Sequence, residues 1–328
     1  MQRCNIKFIL KCILAAAPAI VLSAFTLLCP YCYMDEDFPA WDFEKRVASG
    51  REYDGKSFDT VILGDSGAMS SLMASKLDDS CINMAVGGAT PVEMYYFFEE
   101  YLQNHTPPEN AVIMFAPFHY WHIDNYKTRT VYFKGIPLSK IPELYRNARS
   151  CGAASVMYER YVTDELSARL GLPNIYLPAI NAAHFTGRYS DNTSAYKDLC
   201  LSYGWGTFGE LDECFDESYE TSYEDMVIDG DAKLITLYMQ KLLKLCDDNG
   251  VHVILLQPAV NTATFEGINE HYLASYRNYI KQLATVCSDI EYETHLRNYD
   301  GIYFSDTSHL NPSGAEKFTE EIGEEYFR

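Results

Sequence analysis

Clustered positive charge is what this sequence most lacks. Its 328 residues hold 26 Lys and Arg against 46 Asp and Glu, a net charge of −20. Phosphate backbones are held by grouped Lys and Arg, so nucleic acid is excluded as a partner. The acidic excess reads as a solvated surface and identifies no substrate. Internal repeats and low-complexity tracts are also missing, which excludes solenoids and compositionally disordered chains. Ten cysteines are present, but with no paired metal-type spacing. The close pair Cys29-Pro30-Tyr31-Cys32 looks like a redox motif, yet it lacks the preceding strand and following helix that such chemistry needs. Some of the others could pair outside a cell, in an order the sequence does not give. With 48% hydrophobic residues, the chain can build one large core, or a core with a sizeable insertion.

Charge of either sign is absent from Cys12 to Met34. About 20 apolar residues span a bilayer. Arg3, Lys7 and Lys11 precede the run, and Asp35, Glu36 and Asp37 follow it. That asymmetry places the N-terminus in the cytoplasm and the rest of the chain outside. A cleaved signal peptide is the rival reading, but its apolar region is usually shorter, roughly 7–15 residues. Leu27-Leu28-Cys29-Pro30 is also a poor cleavage site and a poor lipobox. The expected organisation is a cytoplasmic tip and membrane anchor over 1–34, a polar stem over 35–57 and a catalytic domain over 58–328.

Within that domain, "FDTVILG" (58–64), "CINMAVGG" (81–88), "NAVIMFAP" (110–117) and "VHVILLQP" (251–258) read as buried strands, and "IEYETH" (290–295) as a fifth. Helical patterns lie between them at 67–77, 91–105, 231–250 and 269–287. This alternation predicts an α/β fold with a parallel sheet and helices on both faces. From about 119 to 228 the rhythm breaks, and tyrosines become frequent. A structureless loop of that length is improbable, so a mostly helical cap is expected. Its aromatics would either pack the cap's own core or stack on sugars.

The chemistry is concentrated in two short stretches. "VILGDSGAMS" (61–70) runs a strand straight into Gly-Asp-Ser and then a helix. A serine there projects from the sheet edge beside free helix N–H groups. It is not the G-x-S-x-G elbow, because position 68 is Ala. "SDTSHLNPSGAEKF" (305–318) sets Asp306 three residues before His309, with Asn311 and Pro312 suited to open the last helix. A serine hydroxyl needs a base, usually an imidazole, and a carboxylate to fix that imidazole's tautomer. Ser66, His309 and Asp306 supply those three roles.

These motifs resemble the SGNH (GDSL-like) hydrolase superfamily: "GDS" at 64–66, "GG" at 87–88 after the second strand, and "DTSH" at 306–309. The resemblance implies a flavodoxin-like three-layer fold, with Ser66 as nucleophile and Asp306 and His309 as partners. It implies an oxyanion hole from the Ser66 amide, a glycine after the second strand and an asparagine after the third. Gly88 is the best match for the glycine, with Gly87 as the alternative. The usual Gly-x-Asn-Asp is replaced by "APFHYWHIDN" (116–125), where Asn125 is a distant candidate and His119 or Tyr120 could substitute. His119, His122 and Asp124 have metal-ligand chemistry but read as a structured edge of the cleft, and no metal or cofactor is expected. The layout of anchor, outward domain, Ser…Asp-x-x-His order and insertion is similar to the DltD/AlgX/AlgJ-type branch. Members of that branch act beside a membrane-bound O-acyltransferase on acyl groups of cell-envelope polymers. The implied activity is O-acyl transfer to, or editing of, an envelope polysaccharide. A carbohydrate esterase or lipase is the nearest alternative, and a non-catalytic glycan-binding or scaffold protein the alternative of another class.

Overall fold

The computed structural model describes residues 2–123, 125–157, 161–182, 187–209, 219–220, 223 and 229–327. Its centre is a five-stranded parallel sheet. The strands are β1 (Thr60–Gly64), β2 (Cys81–Asn83), β3 (Asn110–Met114), β4 (His252–Leu256) and β6 (Ile290–Tyr292), in the order β2-β1-β3-β4-β6. Val61, Ile62 and Leu63 are fully buried although successive side chains point to opposite faces. The sheet is therefore covered on both sides, which is why its strands read as continuous apolar runs. Thr60 pairs with Asn110 and Gly64 with Met114, so β1 and β3 end level with one another. The chain order reverses between these two strands, and in parallel sheets a crevice opens beyond the strand ends at such a point.

The first helices are α1 (Gln2–Leu28), α2 (Pro30–Tyr33), α3 (Phe38–Ala48), α4 (Ser66–Ser71), α5 (Ala74–Leu77) and α6 (Pro91–Asn104). Then follow α7 (Ile141–Cys151), α8 (Tyr161–Arg169), α9 (Pro173–Ala182), α10 (Tyr189–Leu201) and α11 (Gly230–Asp248). The last are α12 (Thr262–Gly267), α13 (Glu270–Ala284) and α14 (Pro312–Tyr326). One packed group contains α3, α6, α7 and α11, and another contains α4, α5 and α14. Thr90 and Glu93 close a capping box on α6, with Pro91 in its first turn. Gly250 follows α11 at φ +67°, a conformation that favours glycine. In the insertion, the described residues of 119–228 are helical or irregular and include no strand. Tyr126 and Tyr176 are buried, Tyr120 is buried against Phe115, Tyr276 and Tyr279 outside the insertion, and Tyr189 is exposed. Over Ile6–Leu28, α1 is long and apolar enough to cross a membrane.

The structure departs from the sequence reading in three places. The helix expected over 67–77 is broken at Leu72 and Met73, which are extended. The break is stitched from outside: Asn83 donates to the Ala68 and Leu72 carbonyls, and the Met73 N–H donates to Thr319 Oγ1. A further parallel pair, β5 (Ala259–Asn261) with β7 (Arg297–Tyr299), lies apart from the main sheet. And the segment 35–57 is no bare stem. Its helix α3 buries Trp41, Phe43 and Val47 against the domain, apolar positions that the surrounding charges had masked. Eight of the described cysteines, Cys29 and Cys32 included, are free thiols.

One buried acid in α3 makes a testable stability statement. Glu44 is fully buried, and neither carboxyl oxygen has a partner among the described residues. Burial, with Glu100 nearby, pushes its carboxyl well above the ordinary range. A raised folded value contributes stability that is present below the unfolded value and lost as pH rises through the folded one. Glu44→Met should therefore stabilise the protein, by about 1–3 kcal/mol, and by more at pH 8 than at pH 5. Urea denaturation of the detergent-solubilised chain at the two pH values checks this.

Candidate active site

Gly64 ends β1 where no side chain fits: a Cβ there would fall 2.0 Å from the Met114 carbonyl oxygen and 2.6 Å from the Ala68 Cβ. The strand can thus approach β3 and α4 closely, and Asp65 lies fully buried at their junction. Its Oδ1 accepts the Gly67 N–H (2.8 Å) and so caps α4. Its Oδ2 accepts the Ala116 N–H (2.7 Å) and lies 2.6 Å from His119 Nδ1. Burial pushes the Asp65 carboxyl up, but the His119 bond and charge with the two backbone N–H groups outweigh it. The net value lies below the ordinary carboxylate range. Asp65 therefore carries a buried negative charge and ties the end of β1 to the loop after β3.

This scaffold presents Ser66 as the first residue of α4, half-buried at the sheet edge. His309 Nε2 stands 2.8 Å from Ser66 Oγ. His309 Nδ1 stands 2.8 Å from Asp306 Oδ2 and 3.0 Å from Oδ1. Asp306 Oδ1 also accepts the backbone N–H groups of Ser308 (2.9 Å) and His309 (2.8 Å). Burial raises the Asp306 carboxyl, but the His309 bond and charge with these N–H groups hold it below its ordinary value. A carboxylate only accepts, so His309 Nδ1 carries its proton towards Asp306 and Nε2 is left to take one from Ser66.

The loop that carries Asp306 and His309 is fixed on several sides. Phe304 and Leu310 form an antiparallel bridge at its base, and the Ser305 N–H donates to the His309 carbonyl. Asn261 donates to the Thr307 carbonyl, and Thr307 Oγ1 donates to Glu220. Asn311 caps α14 by accepting the Gly314 N–H, with Pro312 next. The Phe208 ring stacks on the His309 imidazole at 4.8 Å.

The structure brings Ser66, Asp306 and His309 together, although 243 residues separate Ser66 from His309. The two glycines after β2 lie beside them. A Cβ on Gly87 would sit 3.9 Å from the Ser66 Cβ, and the Gly87 carbonyl accepts from Trp41 Nε1. Because the peptide is trans, the Gly88 N–H points opposite to that carbonyl, away from the buried indole. Gly88 has φ +73°, and a Cβ there would meet Arg129 Nη1 at 2.7 Å. Asp37 holds Arg129 through its Nε at 2.7 Å. Among the described residues no backbone acceptor takes the N–H of Ser66 or Gly88.

Asn125 is not brought to the serine. It sits exposed at φ +53°, opening the π-helical turn Tyr126–Val131, and is not part of the cleft wall. The Arg129 N–H bonds to its carbonyl, so Asn125 caps that turn. His119 occupies the nearer position: with Ser66, Phe118, Tyr223, Val260 and His309 it lines a cleft of 210 Å³. Tyr120 is fully buried behind it. His122 is exposed and stacks on Phe118, and Asp124 lies outside the described residues. Sequence reasoning missed the Asp65–His119 pair. Its only signal was an acid before the serine and a histidine two residues after Pro117, on neighbouring strand ends.

A larger cleft of 480 Å³ opens beside the first, lined by Glu36, Asp37, Asp198, Trp205, Phe208 and Gly87 among others. No family model matches the chain, and no curated protein matches it.

Proposed function

We propose that this chain is a membrane-anchored serine acyl-enzyme of the SGNH type, which transfers acyl groups to, or removes them from, a cell-envelope polysaccharide outside the membrane. The observation that carries this reading is the unbroken hydrogen-bond chain from Ser66 through His309 to Asp306. Ser66 Oγ attacks the carbonyl carbon of an ester or thioester as His309 Nε2 takes the hydroxyl proton. The tetrahedral intermediate collapses as that proton passes from His309 to the leaving group, and an acyl-serine remains. An acceptor hydroxyl then gives its proton to His309, attacks the acyl carbon and frees Ser66. Asp306 holds the imidazole and offsets its charge. The amides of Ser66 and Gly88 donate to the oxyanion, and His119, held by Asp65, is the third donor in place of the asparagine that the superfamily pattern leads one to expect.

Several features support the finer parts of this reading. The strand order, with its reversal between β1 and β3, matches the flavodoxin-like arrangement that the SGNH resemblance implies. The 210 Å³ cleft is smaller than the roughly 300–1,000 Å³ of ordinary ligand pockets, which favours a short acyl group. The 480 Å³ cleft offers carboxylates to accept from hydroxyls and an indole for a sugar face, which favours a glycan acceptor over water. Basic residues in the first turns of α1, ahead of its uncharged run, and acids after it favour a catalytic domain outside the cytoplasm, beside a membrane-bound acyl donor.

A fluorophosphonate or activated-ester probe tests the reading. The wild-type chain is expected to be labelled, and labelling should vanish in Ser66→Ala. An unlabelled wild type would favour a non-catalytic glycan-binding protein instead. With p-nitrophenyl acetate, acetylated glycan as product marks transfer, and free acetate alone marks an esterase.

A further inference from the structure

Helix α8 is built inside out for a protein in water. Asp164, Glu165 and Ser167 are buried on its inner side, where Lys127 pairs with Asp164 and Arg169 with Glu165. Its outer side presents Val162, Leu166 and Leu170, each more than half exposed. These three stand four residues apart and share one helix face. Helix α9 adds Leu177, also exposed. The two helices are joined to each other by the Tyr176 hydroxyl, which donates to the Ala168 carbonyl. A water-facing helix normally shows the reverse pattern.

The turn between them places this face relative to α1. Gly171, at φ +64°, lies so close to α1 that a Cβ would meet Leu27 Cγ at 2.7 Å and the Ser23 carbonyl oxygen at 2.8 Å. Both partners belong to the apolar stretch Ile6–Leu28. Ser23 lies five residues before the end of that stretch, about 7 Å deeper along the helix axis. A turn that touches α1 at that depth cannot stand clear of a membrane that α1 crosses.

We propose that α8 and α9 form a second membrane seat, with Val162, Leu166, Leu170 and Leu177 immersed in the acyl chains of the leaflet through which α1 leaves. The occupant is lipid because the turn joining the two helices touches α1 inside its apolar stretch, and because buried charge on the inner side leaves the apolar face no role in the protein's own core. The domain is then held at two places and cannot swing about a single tether, so the cleft that holds Ser66 keeps a fixed height above the bilayer. This inference rests on α1 crossing the membrane and not on the acyl-enzyme reading.

The test uses the full-length chain in vesicles of phosphatidylethanolamine and phosphatidylglycerol, with p-benzoylphenylalanine placed singly at 166, 170, 177 or, as an exposed control, 292. After irradiation, lipid adducts are expected at 166, 170 and 177 and none at 292. Absence of lipid adducts at the first three positions overturns the seat, as does equal labelling at 292. In native membranes, a protein adduct at 166 and 170 without a lipid adduct would overturn it in favour of a docking face for another membrane helix. Release of the whole chain by alkaline carbonate would overturn the span itself, and the seat with it, while leaving the probe reactivity of Ser66 intact.

Discussion

Asp306→Asn is expected to lower turnover of an activated ester by about 10⁴-fold without unfolding the protein. The orientation of the new amide decides the outcome. Asp306 Oδ1 accepts two backbone N–H groups, from Ser308 and His309, at 2.9 and 2.8 Å. An asparagine keeps both bonds only by placing its oxygen there. Its NH₂ group then occupies the Oδ2 position, 2.8 Å from His309 Nδ1. Two donors cannot share a bond, so Nδ1 gives up its proton and accepts. The proton moves to Nε2, which now faces Ser66 as a donor and can take nothing from the hydroxyl. The base is lost by a change of tautomer, with the fold's hydrogen bonds intact. Asp306→Ala removes the misdirecting amide as well as the carboxylate, so it should be no worse than the asparagine variant. The carboxyl of Asp306 is held below its ordinary value by the His309 bond and charge and the two N–H groups, against burial, so it keeps its charge to lower pH than an ordinary carboxylate. Steady-state rates of both variants, with circular dichroism to check folding, decide the matter, and an asparagine variant within tenfold of wild type would refute the assigned tautomer.

How far the sequence foretold these positions depends on the range of the forces involved. Ser66 and the Asp306–His309 pair stood out because each motif is local: a strand end, a helix start and a three-residue spacing define them. The apolar runs of β1, β3 and β4 were legible for the same reason, since strands buried on both faces need no alternation. What escaped depends on contacts between distant segments. The helix expected over 67–77 breaks where Asn83 donates its amide to the carbonyls of Ala68 and Leu72, and no pattern within 67–77 announces that. Trp41 and Phe43 fall in a stretch that reads as a polar stem because Asp42 separates them and Glu44, Lys45 and Arg46 follow, yet their helix packs on α6. Asn125 was named for its chemistry, but its left-handed backbone makes it a turn residue. His119 was one of several polar residues after β3 until Asp65, 54 positions earlier, singled it out.

That pairing yields the second large effect: His119→Ala is expected to reduce turnover by about 10²–10³-fold. Asp65 is ionised and can only accept, so His119 Nδ1 must donate across the 2.6 Å contact. In the neutral ring Nε2 is then bare, and in the imidazolium it carries a proton. Donation to an oxyanion in the cleft it shares with Ser66 needs a proton on Nε2, and the buried carboxylate would offset the charge of the ring that carries it. In the proposed acyl-enzyme cycle an oxyanion forms twice, once as Ser66 is acylated and once as the acyl group leaves. Loss of a donor should therefore slow the pre-steady-state burst and the steady-state rate by similar factors. If His119 instead served as a base towards the acceptor hydroxyl, only the second phase would slow and the burst would survive. If it merely supported the loop after β3, neither phase would change in a folded variant. Asp65→Asn should copy the kinetic defect and add a stability cost. Asp65 Oδ1 and Oδ2 each accept a backbone N–H, so the amide must set its NH₂ group against one of them and leave that buried donor unsatisfied, at about 1–3 kcal/mol. The wild-type contribution of Asp65 is present above the unfolded carboxyl value and is lost as pH falls through the lower folded one. The stability gap between wild type and Asp65→Asn should therefore narrow as pH falls below the ordinary carboxylate value, which denaturation curves at neutral pH and near pH 2.5 will show.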